Sequence, residues 1–114
     1  VGQDDFQGSL TSLNLTGCTA LTELWCSGNK LTSLNLSTLT NLKDLYCSNN
    51  ALTALDVSKN LALEYLECSY NDLTALDVRN NSALKELDCV SNYLTSLNVS
   101  SNSALKWLDC EYNV

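Results

Sequence analysis

The chain has 114 residues, 13 acidic and 6 basic side chains, no histidine and a formal net charge of −7. That is room for one domain, and the charge argues against a surface for nucleic acid phosphates or anionic membranes. No apolar run is long enough to span a bilayer, and Val1–Leu10 carries neither the basic nor the apolar region of a signal peptide. Both absences fit a mature fragment cut from a longer precursor.

Taken in chain order, residues 1–9 form a short N-terminal segment, an incomplete cap. From Leu10 onward the chain divides into five coils of 21 residues without insertions, 10–30, 31–51, 52–72, 73–93 and 94–114. Each coil places a cysteine at the same offset: Cys26, Cys47, Cys68, Cys89 and Cys110. Around it returns the frame Leu63-x-x-Leu66-x-Cys68-x-x-Asn71-x-Leu73. A fixed period of roughly 20 to 29 residues with this frame is the signature of a leucine-rich repeat. The expected fold is therefore a β-rich repeat solenoid.

Within a coil, the alternation Leu66-Glu67-Cys68 predicts a half-buried strand. A parallel sheet should run through the cysteine half of every coil. The other half, Leu55-Asp56-Val57, alternates in the same way and fits either a short strand or a 3-10 segment. The inward columns are Leu10/31/52/73/94, Leu13/34/55/76/97, Leu15/Leu36/Val57/Val78/Val99, Leu21/42/63/84/105, Leu24/45/66/87/108 and the five cysteines. A buried free cysteine packs as a small hydrophobe. Stacked strands hold equivalent Cβ atoms about 4.8 Å apart, wider than a relaxed disulfide wants. With no C-x-x-C pair and no histidine, a zinc site is not expected either. Cys18 lies outside this ladder, as a free thiol or a partner for Cys26. Asn29, Asn50, Asn71, Asn92 and Asn113 form one more column, whose amides should turn inward and satisfy the backbone of the bend.

The frame L-T-x-L-D-V-S-x-N-x-A-L-x-x-L-x-C-x-x-N, read at Leu52–Asn71 and Leu73–Asn92, resembles the cysteine-ladder leucine-rich repeats of internalin J-like bacterial surface proteins. The resemblance covers residues 10–113. It implies a curved solenoid displayed outside the cell, secreted or on the bacterial surface, and used for adhesion or protein recognition. The first two coils depart from the pattern at Cys18 and Leu39, where later coils carry Asn60, Asn81 and Asn102.

Outward positions beside the cysteines read Thr22, Glu23, Trp25, Ser27; Lys43, Asp44, Tyr46, Ser48; Glu64, Tyr65, Glu67, Ser69; Lys85, Glu86, Asp88, Val90; and Lys106, Trp107, Asp109, Glu111. Tyr70 and Tyr112 follow just beyond. Both tryptophans and most tyrosines thus fall on or beside one face, whereas the outward positions of the opposite wall carry no aromatic. Exposed aromatics on a rigid face give large contact area at small entropic cost, though they are also good strand formers. Trp25, Tyr46 and Tyr65 should form one cluster, and Trp107 and Tyr112, with Tyr93, a second. Glu67, Asp88 and Asp109 share a column, and like charges so close call for compensation. Lys85 and Lys106 are the nearby cations; a basic protein partner is the functional reading and a solvated acidic stripe the structural one. Asp56 and Asp77 read as solvated turn residues.

The sequence offers no histidine, no phosphate loop and no exposed nucleophile beside a base, so an enzyme is not expected, nor is a cofactor or a metal. The expected function is a binding module for a protein ligand. Its site is the aromatic and acidic face of Trp25, Tyr46, Tyr65, Glu67, Tyr70, Asp88, Trp107, Asp109 and Tyr112. The alternatives are a glycan reader, since the same rings stack on sugars, and a spacer that holds other domains away from the cell surface. The fifth coil carries no polar cap, which predicts either further repeats or an end-to-end contact between copies.

Overall fold

The computed structural model describes residues 8–114; the N-terminal segment expected as an incomplete cap falls largely outside them. Five parallel strands stack in chain order, β1 (Glu23–Trp25), β2 (Asp44–Tyr46), β3 (Tyr65–Glu67), β4 (Glu86–Asp88) and β5 (Trp107–Asp109). Each is three residues long because the chain must turn away at once to complete a coil of 21 residues. The register is in step throughout: Leu24, Leu45, Leu66, Leu87 and Leu108 pair in series, with an outward residue on either side of each. Backbone bonds carry the ladder past the strands, as from Cys47 N–H to the Glu67 carbonyl at 2.8 Å and from Cys68 N–H to the Asp88 carbonyl at 2.8 Å.

The core is one continuous stack. Leu31, Leu42, Leu45, Leu52, Leu63, Leu73, Leu84 and Leu87 are fully enclosed, with Cys47, Cys68 and Cys89 beside them. Burying a leucine stabilises by about 1.5–3 kcal/mol, but only where a neighbouring coil covers it. The outer coils show this dependence. Cys110, expected as a buried rung, is exposed, as are Leu10 and Leu108, because among the described residues each belongs to a coil with a neighbouring coil on one side only. All six cysteines are free thiols, Cys18 included.

The wall opposite the sheet is neither a strand nor a 3-10 segment. It is a chain of paired turns, Asn60 N–H to Val57 carbonyl (3.1 Å) followed by Leu63 N–H to Asn60 carbonyl (3.1 Å), repeated in every coil. Each pair is preceded by a side-chain turn. Asp56 and Asp77 accept the N–H two residues on, at 2.9 and 3.1 Å, as do Asn14, Asn35 and Asn98. Such local bonds compete with ladder formation, so alternation alone does not make a strand here. The two aspartates are turn residues, as expected.

The asparagine column of the bend behaves as its position predicts. Asn71 donates to the carbonyls of Cys47, Cys68 and Ser69 and accepts from Leu52 N–H; Asn50 and Asn92 repeat the pattern one coil on either side. A second column, Asn60, Asn81 and Asn102, is buried in the opposite wall and donates to carbonyls of the preceding coil. A hydroxyl ladder was also hidden from the sequence. Ser48 and Ser69, expected to face solvent, are buried, with Ser69 Oγ bonded to Ser48 Oγ at 2.9 Å. Ser48 Oγ also accepts the Ser69 N–H at 3.1 Å.

Candidate functional site on the sheet face

Because every strand turns its central leucine inward, its first and third residues face out and form two columns. One reads Glu23, Asp44, Tyr65, Glu86, Trp107; the other reads Trp25, Tyr46, Glu67, Asp88, Asp109. The first interleaves acids with aromatics. The second begins aromatic and ends acidic. Neighbours within a column stand about 4.8 Å apart.

At the β1 end, Trp25 is 71% exposed and packs on Tyr46 with ring centroids 4.3 Å apart and planes tilted by 40°. Its indole N–H donates to Glu23 Oε1 at 3.1 Å, which fixes the ring. Tyr65 belongs to the other column, so the expected Trp25–Tyr46–Tyr65 cluster resolves into a stacked pair and a separate ring. Tyr46, Tyr65 and Trp107 instead line one hollow of about 270 Å³, together with Leu66, Glu67, Glu86 and Asp88. Trp107 thus joins Tyr65 across Glu86 rather than pairing with Tyr112.

Tyr70 and Tyr112 do not lie on the sheet. They sit in the bend beyond it, both with left-handed backbone (φ 54° and 57°), at the position held by Gly28, Asn49 and Ser91 in the other coils. With the exposed Tyr93 they make a tyrosine edge next to the face. Glu86, Asp44 and Glu23 share this face; the sequence placed them outward but the expected site left them out. Their signal was the period of two: each lies two residues before an outward position already singled out.

The face is electrostatically one-sided. Burial raises the Glu67 carboxyl above the ordinary carboxyl value, and Asp88 and Glu86 add to the shift. Tyr46 is pushed up by burial and then by Asp44, Glu67, Glu23 and Glu86. Asp44 is raised by burial and by Glu23 and Glu64, against the pull of Lys43. Lys85 does not neutralise the acidic column; it pairs with Glu64 at 3.1 Å. Asp88 and Asp109 are relieved instead by backbone, each accepting an N–H two residues on at 3.2 Å.

A larger hollow, about 420 Å³, lies on the opposite wall against Ala54, Ala75, Asp56, Asp77 and Arg79. It has no aromatic lining, and its one cation is already bonded to Asp77 at 3.0 Å. Size favours that hollow; chemistry favours the sheet face, and recognition depends on chemistry. The inward cysteines contribute no reactivity: burial pushes the thiols of Cys26 and Cys89 to about 11 and about 12.

The 21-residue coil, the in-step leucines and the inward cysteine ladder together decide the fold class. The chain is a cysteine-ladder leucine-rich repeat. A leucine-rich repeat family model of two copies matches residues 19–60. The cysteine-ladder functional domain of InlJ from Listeria monocytogenes superposes with a TM-score of 0.89 at 43% identity, over 90% of this chain and 23% of that one. Internalin InlF of the same species gives 0.87 at 23% identity, over 92% of this chain and 33% of its own, a likeness of fold. A leucine-rich repeat protein of Leptospira interrogans gives 0.60 at 25% identity, over 83% and 32%. This leucine-rich repeat therefore spans about a quarter to a third of these relatives. No curated protein sequence matches it.

Proposed function

We propose that this leucine-rich repeat is a non-enzymatic binding module of a bacterial surface or secreted protein, and that it recognises a protein ligand through the sheet face. The observation that carries the reading is the concentration of the strand aromatics on one rigid sheet: Trp25 and Trp107 exposed, Tyr46 and Tyr65 half-buried between them. Rings held by a stacked partner and an indole bond lose little entropy on binding. Carboxylates between them supply orientation and partner choice. The similarity to internalins of Listeria supports display outside a bacterial cell. The tyrosine edge of Tyr70 and Tyr112 extends the contact surface beyond the sheet.

The test is attachment of the purified domain to cultured mammalian cells, read by flow cytometry. Wild type should bind, and a Trp25→Ala/Tyr46→Ala/Trp107→Ala variant with unchanged circular dichroism should not. Loss of binding after mild protease treatment of the cells identifies a protein ligand; loss after glycosidase treatment alone would favour the glycan reading. A folded wild-type domain that attaches to nothing would leave the spacer.

A further inference from the structure

We propose that the hollow between Tyr65 and Trp107 is a socket for an arginine side chain presented by the protein partner; the proposal rests on the reading of the sheet face as a protein-binding surface. Its walls and floor follow from the register. Tyr65, Glu86 and Trp107 are consecutive in one column, so a carboxylate stands between two rings separated by two strand spacings, about 10 Å. The adjacent column sets Glu67 and Asp88 alongside. Leu66 is the apolar floor of the same 270 Å³ space.

Charge selects the occupant. Among the described residues the ion pairs are Arg79–Asp77, on the opposite wall, and Lys85–Glu64. Neither reaches Glu67, Glu86 or Asp88, so three carboxylates face one cavity with no cation from the chain itself. Glu67 is raised first by burial, and Asp88 and Glu86 add to that shift. A metal ion does not fit. Among the described residues no three carboxylate, thiol or imidazole groups are gathered so as to hold one. The carboxylates are spread around the hollow, which suits a wide, flat cation with several donors.

A guanidinium is that cation. It is planar, carries five N–H donors and is weakly hydrated, so it can lie against a tyrosine or indole face while bonding to more than one carboxylate. An ammonium, compact and strongly hydrated, would use one carboxylate and leave the rings idle. The socket therefore distinguishes arginine from lysine, which general acidity would not.

The probe is N-acetyl-arginine methylamide, titrated into ¹⁵N-labelled domain and followed by NMR, with the lysine and citrulline analogues as controls. The indole N–H of Trp107 and the amides of Glu67, Glu86 and Asp88 should shift and saturate with arginine. Binding should be roughly tenfold weaker or more for lysine and absent for citrulline. Glu67→Gln/Glu86→Gln should abolish the arginine shifts, since neither side chain supports the fold through a hydrogen bond or ion pair among the described residues. The same variant should weaken cell attachment by about tenfold or more, the scale of truncating one side of a buried charge pair. Shifts that grow without saturating, or that are equal for lysine, overturn the socket even if wild-type attachment to cells survives, and the face then remains a protein-binding surface of another chemistry. Saturable arginine binding with undiminished attachment of the variant also overturns it, because the partner then does not use the hollow. No attachment by wild type removes the protein-binding reading, and the partner's arginine with it.

Discussion

Asn71 Oδ1 accepts the backbone N–H of Leu52, nineteen residues earlier, at 3.1 Å. That N–H is buried and has no other acceptor, while the same amide donates to three carbonyls of two coils. Across the core, Asn60 looks like the same device and is not. Its amide N–H groups bond to the carbonyls of Leu36 and Leu39, but its Oδ1, like those of Asn81 and Asn102, is buried without a donor.

The two columns should therefore respond differently to loss of the amide. Asn71→Leu strands the Leu52 N–H and should cost roughly 3 kcal/mol, an unsatisfied buried donor plus lost bonds. Asn60→Leu removes an orphaned oxygen. The carbonyls it served keep their turn bonds to Leu39 N–H and Leu42 N–H, and Leu39 already occupies this column one coil earlier, fully buried. Its effect should stay within about 1 kcal/mol of wild type. Urea unfolding of both variants decides the matter; equal losses would show that the orphaned oxygens are paired in solution.

Tyr70 has positive φ, where a bulky residue is held at a cost of about 1–2 kcal/mol. Asn49, one coil earlier, has the same backbone with a residue that tolerates it. Tyr70→Asn should raise stability by roughly 0.5–1 kcal/mol, a few degrees in Tm for a domain of this size. If the tyrosine edge contributes to the binding face, the same variant should attach to cells less well. A lower Tm would mean that Tyr70 packs favourably enough to outweigh its backbone.

How far the sequence reached can be seen residue by residue. The ladder was legible because a cysteine every 21 residues fixes the register, and register alone places Leu66 inward and Glu67 outward. The bend asparagines were legible for the same reason. What periodicity could not resolve were choices made by local bonds: Asp56 accepting Ser58 N–H turns a strand-like pattern into a turn, and the buried Ser69 hydroxyl donates to Ser48 Oγ of the coil before. In the site, the outward residues were identifiable one by one. Their grouping was not, because it depends on which of two columns each ring occupies. Trp25 and Tyr46 share a column; Tyr65 and Trp107 share the other.

Thiol chemistry gives a direct check of the ladder. The thiolate is the reactive form, and burial raises Cys26 to about 11 and Cys89 to about 12, with Cys47 and Cys68 also pushed up. Cys18 and Cys110 are exposed. A chromogenic disulfide reagent at mildly alkaline pH should titrate two thiols rapidly in the folded protein, and all six after denaturation. Rapid reaction of four or more would place the ladder thiols in contact with solvent.

The acidic face makes stability depend on pH with a defined sign. Glu67 and Asp44 have folded values above the ordinary ones, through burial first and neighbouring acids second. The folded state therefore binds protons more readily than the unfolded state, and stability falls as pH rises through that window. Asp56 works the other way, its carboxyl lowered by the Ser58 hydroxyl and N–H. Its contribution is present above the ordinary carboxyl value and disappears as pH falls through its own lower one. Tm should rise on acidification from neutral pH toward the upper carboxyl range, then decline in stronger acid. Glu67→Gln should raise Tm at neutral pH and flatten the first rise, and added salt should do so to a smaller extent, because it screens the neighbouring acids but not the burial. A wild-type Tm that falls steadily from neutral pH, or a variant with the wild-type slope, would show that the Glu67 carboxyl is not raised in the folded protein.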